Sequence, residues 1–238
     1  MANSNEAGSG AKGALQPAEL AAFIDHTLLK PEAGEAAIRK LCEEARQHQF
    51  YSVCVNGAWV PLCRRELEGS AVRISAVCGF PLGAMAARLK AAEAHQAAQD
   101  GAVEIDMVLS VGHLLEGSYT TVQHDIEAVV EAVRGQAIVK VIMETGLLNE
   151  EQKKTACRIS EQAGAHFVKT STGFGPGGAT VEDIRLMRGS VSASIGVKAS
   201  GGIRDIQAAL RMIEAGATRL GTSSGVAIVQ GQAGSGQY

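Results

Sequence analysis

The chain has 238 residues, 46% of them hydrophobic and 20% charged, with a formal net charge of −3 at pH 7. These are the proportions of one globular domain with a substantial core, and they exclude a chain too polar to fold. The charge offers a polyanion no cationic field, there is no Lys/Arg block or zinc-finger spacing, and no apolar run approaches the roughly 20 residues that cross a bilayer, so neither nucleic acid nor membrane is expected as a partner.

Residues 1–14 are rich in Ala, Gly, Ser and Asn and show no periodic apolar face, so a flexible N-terminal extension is expected. They also lack the apolar core of a signal peptide, which predicts a cytoplasmic protein. One domain then runs over 15–230. Short apolar β-type runs occur at 23–26, 51–55, 73–77, 103–108, 137–143, 167–170, 196–199 and 219–221. Between them, helical periodicity marks 35–48, 84–99, 119–133, 150–163, 181–187 and 205–215. Asn149 and Thr180 are candidate helix starts, and Gly164 and Gly216 candidate exits. Residues 231–238 resemble the N-terminal stretch and are expected to form a flexible tail. Eight continuously apolar strands alternating with helices predict an α/β fold with a parallel sheet closed as a (β/α)8 TIM barrel, the alternative being a doubly wound open sheet. Both put functional residues at the carboxyl ends of the strands.

The cysteines Cys42, Cys54, Cys63, Cys78 and Cys157 are odd in number, contain no CxxC pair, and read as reduced thiols in apolar segments. Neither they nor the six histidines cluster as metal ligands, so no metal is expected.

Charges that interrupt apolar strands are informative, because burying one is costly unless it is paired or used. Lys140, Lys169 and Lys198 do so in the fifth, sixth and seventh predicted strands. Inward-pointing side chains there would converge near the barrel mouth, where like charge and desolvation lower a lysine's pKa and yield the neutral amine that attacks a carbonyl. The alternative for any one of them is an outward, snorkelling side chain. Asp106 shares a strand face with Glu104 and could move protons or hold an ammonium; Asp25 and His26 end the first strand and could be catalytic or cap a turn. This reasoning does not choose between Lys169 and Lys198.

Glycine- and hydroxyl-rich loops follow the sixth, seventh and eighth strands: Thr170-Ser171-Thr172-Gly173-Phe174-Gly175-Pro176-Gly177-Gly178, Ser200-Gly201-Gly202-Ile203-Arg204 and Gly221-Thr222-Ser223-Ser224-Gly225. Three such loops at the positions where barrels hold phosphate predict a phosphorylated substrate. None matches a P-loop, and no dinucleotide fingerprint follows the first strand.

From Ile24 to about Gln230 the chain resembles the deoxyribose-phosphate aldolase family, which are class I, Schiff-base aldolases. The likeness is carried by Ile24-Asp25-His26-Thr27-Leu28-Leu29-Lys30-Pro31, Val77-Cys78-Gly79-Phe80-Pro81-Leu82-Gly83, Glu104-Ile105-Asp106-Met107-Val108, Val168-Lys169-Thr170-Ser171-Thr172-Gly173-Phe174 and Val197-Lys198-Ala199-Ser200-Gly201-Gly202-Ile203-Arg204. The resemblance implies that Lys169 forms the Schiff base, that Lys198 perturbs it, and that Asp106 gives and takes protons. It implies that Asp25, Thr170 and Lys140 line the sugar end, that Gly173, Gly201, Gly202, Ser223 and Ser224 hold the phosphate, and that Cys54 lies near the substrate. It also implies that the terminal Tyr238, on its tail, can reach the site, the alternative being an inert terminus. The implied reaction is reversible cleavage of 2-deoxy-D-ribose 5-phosphate to D-glyceraldehyde 3-phosphate and acetaldehyde, without a cofactor. Its rivals are another Schiff-base lyase or transaldolase-like enzyme, and a sugar-phosphate sensor that forms no imine. A homodimer is expected.

Overall fold

The computed structural model describes residue 15 and residues 17–234. The N-terminal extension 1–14 and the last four residues of the C-terminal tail, Tyr238 among them, lie outside the described residues. Eight strands form a closed barrel in the order β1 to β8: β1 Ile24–Leu28, β2 Ser52–Val55, β3 Arg73–Cys78, β4 Glu104–Val108, β5 Ile138–Ile142, β6 Phe167–Lys169, β7 Gly196–Ser200 and β8 Arg219–Thr222. Every neighbouring pair is parallel, and β1 pairs with β8, so no edge remains open. That settles the choice between the closed barrel and the open sheet.

The helices are α1 Pro17–Ala21, α2 Glu35–His48, α3 Val60–Glu66, α4 Ala87–Asp100, α5 Val111–Leu115, α6 Tyr119–Ala132, α7 Glu150–Gln162, α8 Val181–Ser190, α9 Ile206–Glu214 and α10 Gly225–Val229. Asn149 opens α7 with a reciprocal capping box to Gln152, and Thr180 and Asp205 cap α8 and α9 through their side chains. The expected exits are also present: Gly164 follows α7 at φ +85° and Gly216 follows α9 at φ +114°. Three short helices, α1, α3 and α5, lie outside the helical segments read from the sequence, because five to seven residues hold too few turns to display a 3.6 period. No helix among the described residues is long and apolar enough to cross a membrane.

Period-two alternation splits each strand between two environments. Outward side chains such as Val53, Ile105, Met107, Val139, Val141, Val168, Val197, Ala199 and Leu220 form the main hydrophobic core with the helices. Inward positions carry charge and hydroxyls. A second, small apolar cluster of Leu29, Cys54, Val77 and Phe80 is separate from that core and lies at the carboxyl end of β1 to β3.

Candidate active site

The barrel interior holds Asp25, Glu104, Asp106, Lys140, Lys169, Lys198 and Arg219, none more than 4% exposed. Strand register brings them together: Asp106 is level with Lys140 across β4 and β5, and Lys169 with Lys198 across β6 and β7. Asp106 is the hub. One carboxylate oxygen accepts from Lys140 Nζ at 2.6 Å and Ser75 Oγ at 3.0 Å; the other accepts from Lys169 Nζ and Lys198 Nζ, both at 2.8 Å.

The three lysines are held unequally. Lys140 faces Glu104 at 2.5 Å, Asp106 at 2.6 Å and Asp25 at 3.9 Å, and Lys198 faces Asp25 at 2.5 Å and Asp106 at 2.8 Å. Among the described residues Lys169 has Asp106 alone, and shares it with both other lysines. Their proton affinities follow. Burial lowers all three, but around Lys140 and Lys198 the carboxylates outweigh it and raise the pKa, for Lys198 well above that of an ordinary lysine. At Lys169 burial prevails, aided by the Lys198 charge against the single pull of Asp106, and the pKa is lowered. Burial would raise the Asp106 carboxyl, yet the ammoniums of Lys140, Lys169 and Lys198 hold it well below the carboxylate range. Asp25 is likewise lowered against burial by Lys198, Lys140 and Arg219.

Counting charge sharpens the point. Asp25, Glu104 and Asp106 are three anions, whereas Lys140, Lys169, Lys198 and Arg219 make four cations when all are protonated. Loss of one proton would balance the interior, and Lys169, the least neutralised, is the lysine whose pKa is lowered.

Cys54 is fully buried with Sγ 4.0 Å from Asp106, and burial pushes its thiol up, so it remains protonated. All five cysteines are free and buried. His26, next to Asp25, points outward to Glu44 at 2.8 Å, with its ring 5.0 Å from that of Phe50. Thr170, expected at the sugar end, follows Lys169 directly; its hydroxyl donates to the Ser200 carbonyl at 2.8 Å and accepts from the Ser200 N–H at 3.0 Å, which ties the ends of β6 and β7 together.

The glycine-rich loops lie side by side at the carboxyl mouth. Ser200 Oγ donates to the Ser171 carbonyl at 2.6 Å and the Ala179 N–H to the Gly201 carbonyl at 2.9 Å. Gly178 must lack a side chain, because a Cβ there would sit 2.6 Å from the Gly201 oxygen. Gly173, Gly201 and Gly202 all have positive φ, with Gly202 exposed. Ser223 is half-buried and Ser224 buried. Two hydroxyls in these loops, Ser171 Oγ and Ser224 Oγ, are buried with no hydrogen-bond partner among the described residues. A Cβ on Gly234 would sit 2.2 Å from Ser224 Oγ, so the chain beyond α10 crosses over that hydroxyl, with the Gly234 N–H donating to the Arg204 carbonyl.

Sequence reasoning missed Arg219, whose guanidinium pairs with Asp25 at 2.9 Å and Glu104 at 3.0 Å and stacks 3.4 Å over the Tyr51 ring. The signal was an arginine opening an apolar strand. It also missed the role of Ser171, and of Ser52 and Ser75, which donate to Asp25 and Asp106. Among the described residues no group of three His, Cys, Asp or Glu side chains could hold a metal ion.

Residues 20–231 match the model of the DeoC/LacD family aldolases. The chain belongs to that family. It is 54% identical over 220 residues to deoxyribose-phosphate aldolase 1 of Oceanobacillus iheyensis, covering 92% of this chain and all of that one. It is 58% identical over 209 residues to the deoxyribose-phosphate aldolase of Brevibacillus brevis, covering 88% and 94%. Among solved structures, the tetrameric deoxyribose-phosphate aldolase of Aeropyrum pernix superposes with a TM-score of 0.85 at 33% identity, covering 90% of this chain and 91% of that one. Family membership makes the chain an aldolase.

Proposed function

We propose that this protein is a deoxyribose-phosphate aldolase that cleaves 2-deoxy-D-ribose 5-phosphate reversibly through a Schiff base on Lys169. The observation that carries the reading is the inequality among the lysines: the one paired with a single, shared carboxylate is the one whose pKa is lowered. The relatives' names supply the substrate.

The neutral Lys169 amine attacks C1, and loss of water with uptake of one proton from solvent leaves a protonated imine. The bond that breaks must lie beta to the imine carbon, so scission falls between C2 and C3. Asp106, held ionised, starts as the base: through a water it accepts the C3 hydroxyl proton as C3 becomes the aldehyde of glyceraldehyde 3-phosphate. The bonding pair moves to the nitrogen side as an enamine, C2 takes a proton back, and hydrolysis releases acetaldehyde and the free amine. Lys198 holds Asp25 and Asp106 in place and keeps positive charge beside Lys169, and Lys140 anchors the other oxygen of Asp106. Asp25 and Cys54 wall the chamber. The two unpartnered hydroxyls, Ser171 and Ser224, with Ser223 and the backbone at Gly173, Gly201 and Gly202, receive the phosphate. The chemistry needs no cofactor. We infer assembly from at least two copies in the cytoplasm.

The test is borohydride reduction in the presence of 2-deoxyribose 5-phosphate, followed by peptide mass spectrometry. A stable adduct on Lys169 is expected; an adduct on Lys198 reverses the lysine roles, and binding without any adduct turns the protein into a sensor.

A further inference from the structure

Glu144 follows β5 and is 5% exposed, yet its backbone lies in the left-handed region at φ 55°, ψ 62°. A non-glycine residue adopts that conformation only when its surroundings over-determine it, and such residues cluster where position matters. Its carboxylate is directed at one residue: one oxygen accepts the Thr172 N–H at 3.4 Å and the other the Thr172 hydroxyl. With its proton committed to Glu144, that hydroxyl accepts from the Phe174 N–H at 3.0 Å and the Gly175 N–H at 3.3 Å. The chain around Gly173 is thereby folded into a turn about Thr172.

The two loops also interlock sterically. A Cβ on Gly175 would sit 2.7 Å from Glu144 Cδ, and one on Gly146 would sit 1.9 Å from the Pro176 oxygen. The Met143 N–H donates to the Lys169 carbonyl at 2.9 Å and the Thr145 N–H to that of Thr170 at 3.0 Å, so the clamp continues the sheet directly from the reactive lysine.

We propose that Glu144 is a positioning residue that acts through Thr172 to fix the loop after β6 in the form that receives the substrate's phosphoryl group. This rests on the reading above that the loop binds phosphate. Glu144 touches no reacting atom; it sets where Ser171 and the Gly173 backbone stand.

The informative variant is Glu144→Gly, because glycine adopts positive φ without strain and so removes the carboxylate while keeping the backbone. The measurement is the ratio of kcat/KM for 2-deoxyribose 5-phosphate to that for unphosphorylated 2-deoxyribose. We expect this ratio to fall on the order of tenfold, the size of one hydrogen bond to a charged group, mainly through KM for the phosphorylated sugar. A merely structural role would lower both substrates together and leave the ratio at its wild-type value, which overturns the proposal. Thr172→Val should lower the ratio similarly, and the double variant no further than either alone; additive losses would also overturn it. Wild-type protein without any preference for the phosphorylated sugar would instead remove the phosphate reading itself, an outcome distinguishable from a wild-type preference that Glu144→Gly leaves intact.

Discussion

Ile105 and Asp106 are neighbours in β4 and both are fully buried, but they belong to different regions of the molecule. Ile105 lies in the jacket between strands and helices, where stability comes from apolar area removed from water, about 25 cal/mol per Å². Asp106 lies in the barrel interior among three lysines. Replacing such a buried ionic cluster with apolar side chains is often neutral or stabilising, whereas deleting one partner is strongly destabilising. The jacket therefore answers for the fold. The axis holds charge arranged so that one lysine is under-neutralised, and that lysine is the proposed nucleophile.

The sharpest way to break the comparison is Lys169→Leu. It removes the proposed nucleophile and leaves three anions facing three cations, so borohydride trapping and turnover should be abolished while the urea midpoint holds or rises. Substantial remaining turnover would end the assignment. Asp106→Asn comes next. It keeps the shape of the hub but not its charge, and kcat should fall about 10²- to 10⁴-fold, the range for a positioned acid–base group. Stability should fall as well, since Lys140 and Lys198 each lose a partner.

Arg219→Leu separates the two regions differently. Arg219 neutralises Asp25 and Glu104 and pairs with neither Asp106 nor a lysine, so the variant should lose roughly 3–5 kcal/mol in urea unfolding, with a smaller effect on kcat than Asp106→Asn. The acid limb of stability tests the same network. Asp25 and Asp106 are lowered in the folded state, so the unfolded chain binds more protons below its own carboxylate pKa of about 3.9. Their contribution is complete above that value and lost as pH falls through the folded pKa. Without Arg219 the carboxyl of Asp25 is less depressed in the folded state, so the loss should be smaller and be complete at higher pH.

Most of this architecture was legible because strand runs, their spacing and the lysines that interrupt them are local features of the sequence. The closed barrel, the capping of α7 at Asn149 and the convergence of Lys140, Lys169 and Lys198 could be read that way. What could not be read depends on register and on three-dimensional neighbours. The hydrogen bonds of the Thr170 hydroxyl to the Ser200 backbone, which join the ends of β6 and β7, have no local sequence signal. Arg219 looked like a strand-end charge, yet it closes the interior against Asp25 and Glu104 from strands distant in sequence. Nothing in the strand pattern distinguished Lys169 from Lys198. Their difference lies in how many carboxylates face each, and only the closed barrel fixes that number.

The smallest effects test that last distinction most finely. Ile105→Val should cost about 1 kcal/mol in urea unfolding, as for one methylene removed from a packed core, and leave the pH profile of imine trapping where it was. In the wild type that profile should rise with pH as the Lys169 amine loses its proton, and reach its plateau at lower pH than an ordinary lysine, because burial and Lys198 lower the pKa. Lys198→Met removes the like charge and also frees Asp106 to pull harder on Lys169. Both changes favour the protonated amine, so the profile should move to higher pH. A shift to lower pH, or the same shift from Ile105→Val, would mean that the axis and the jacket do not act as separate regions.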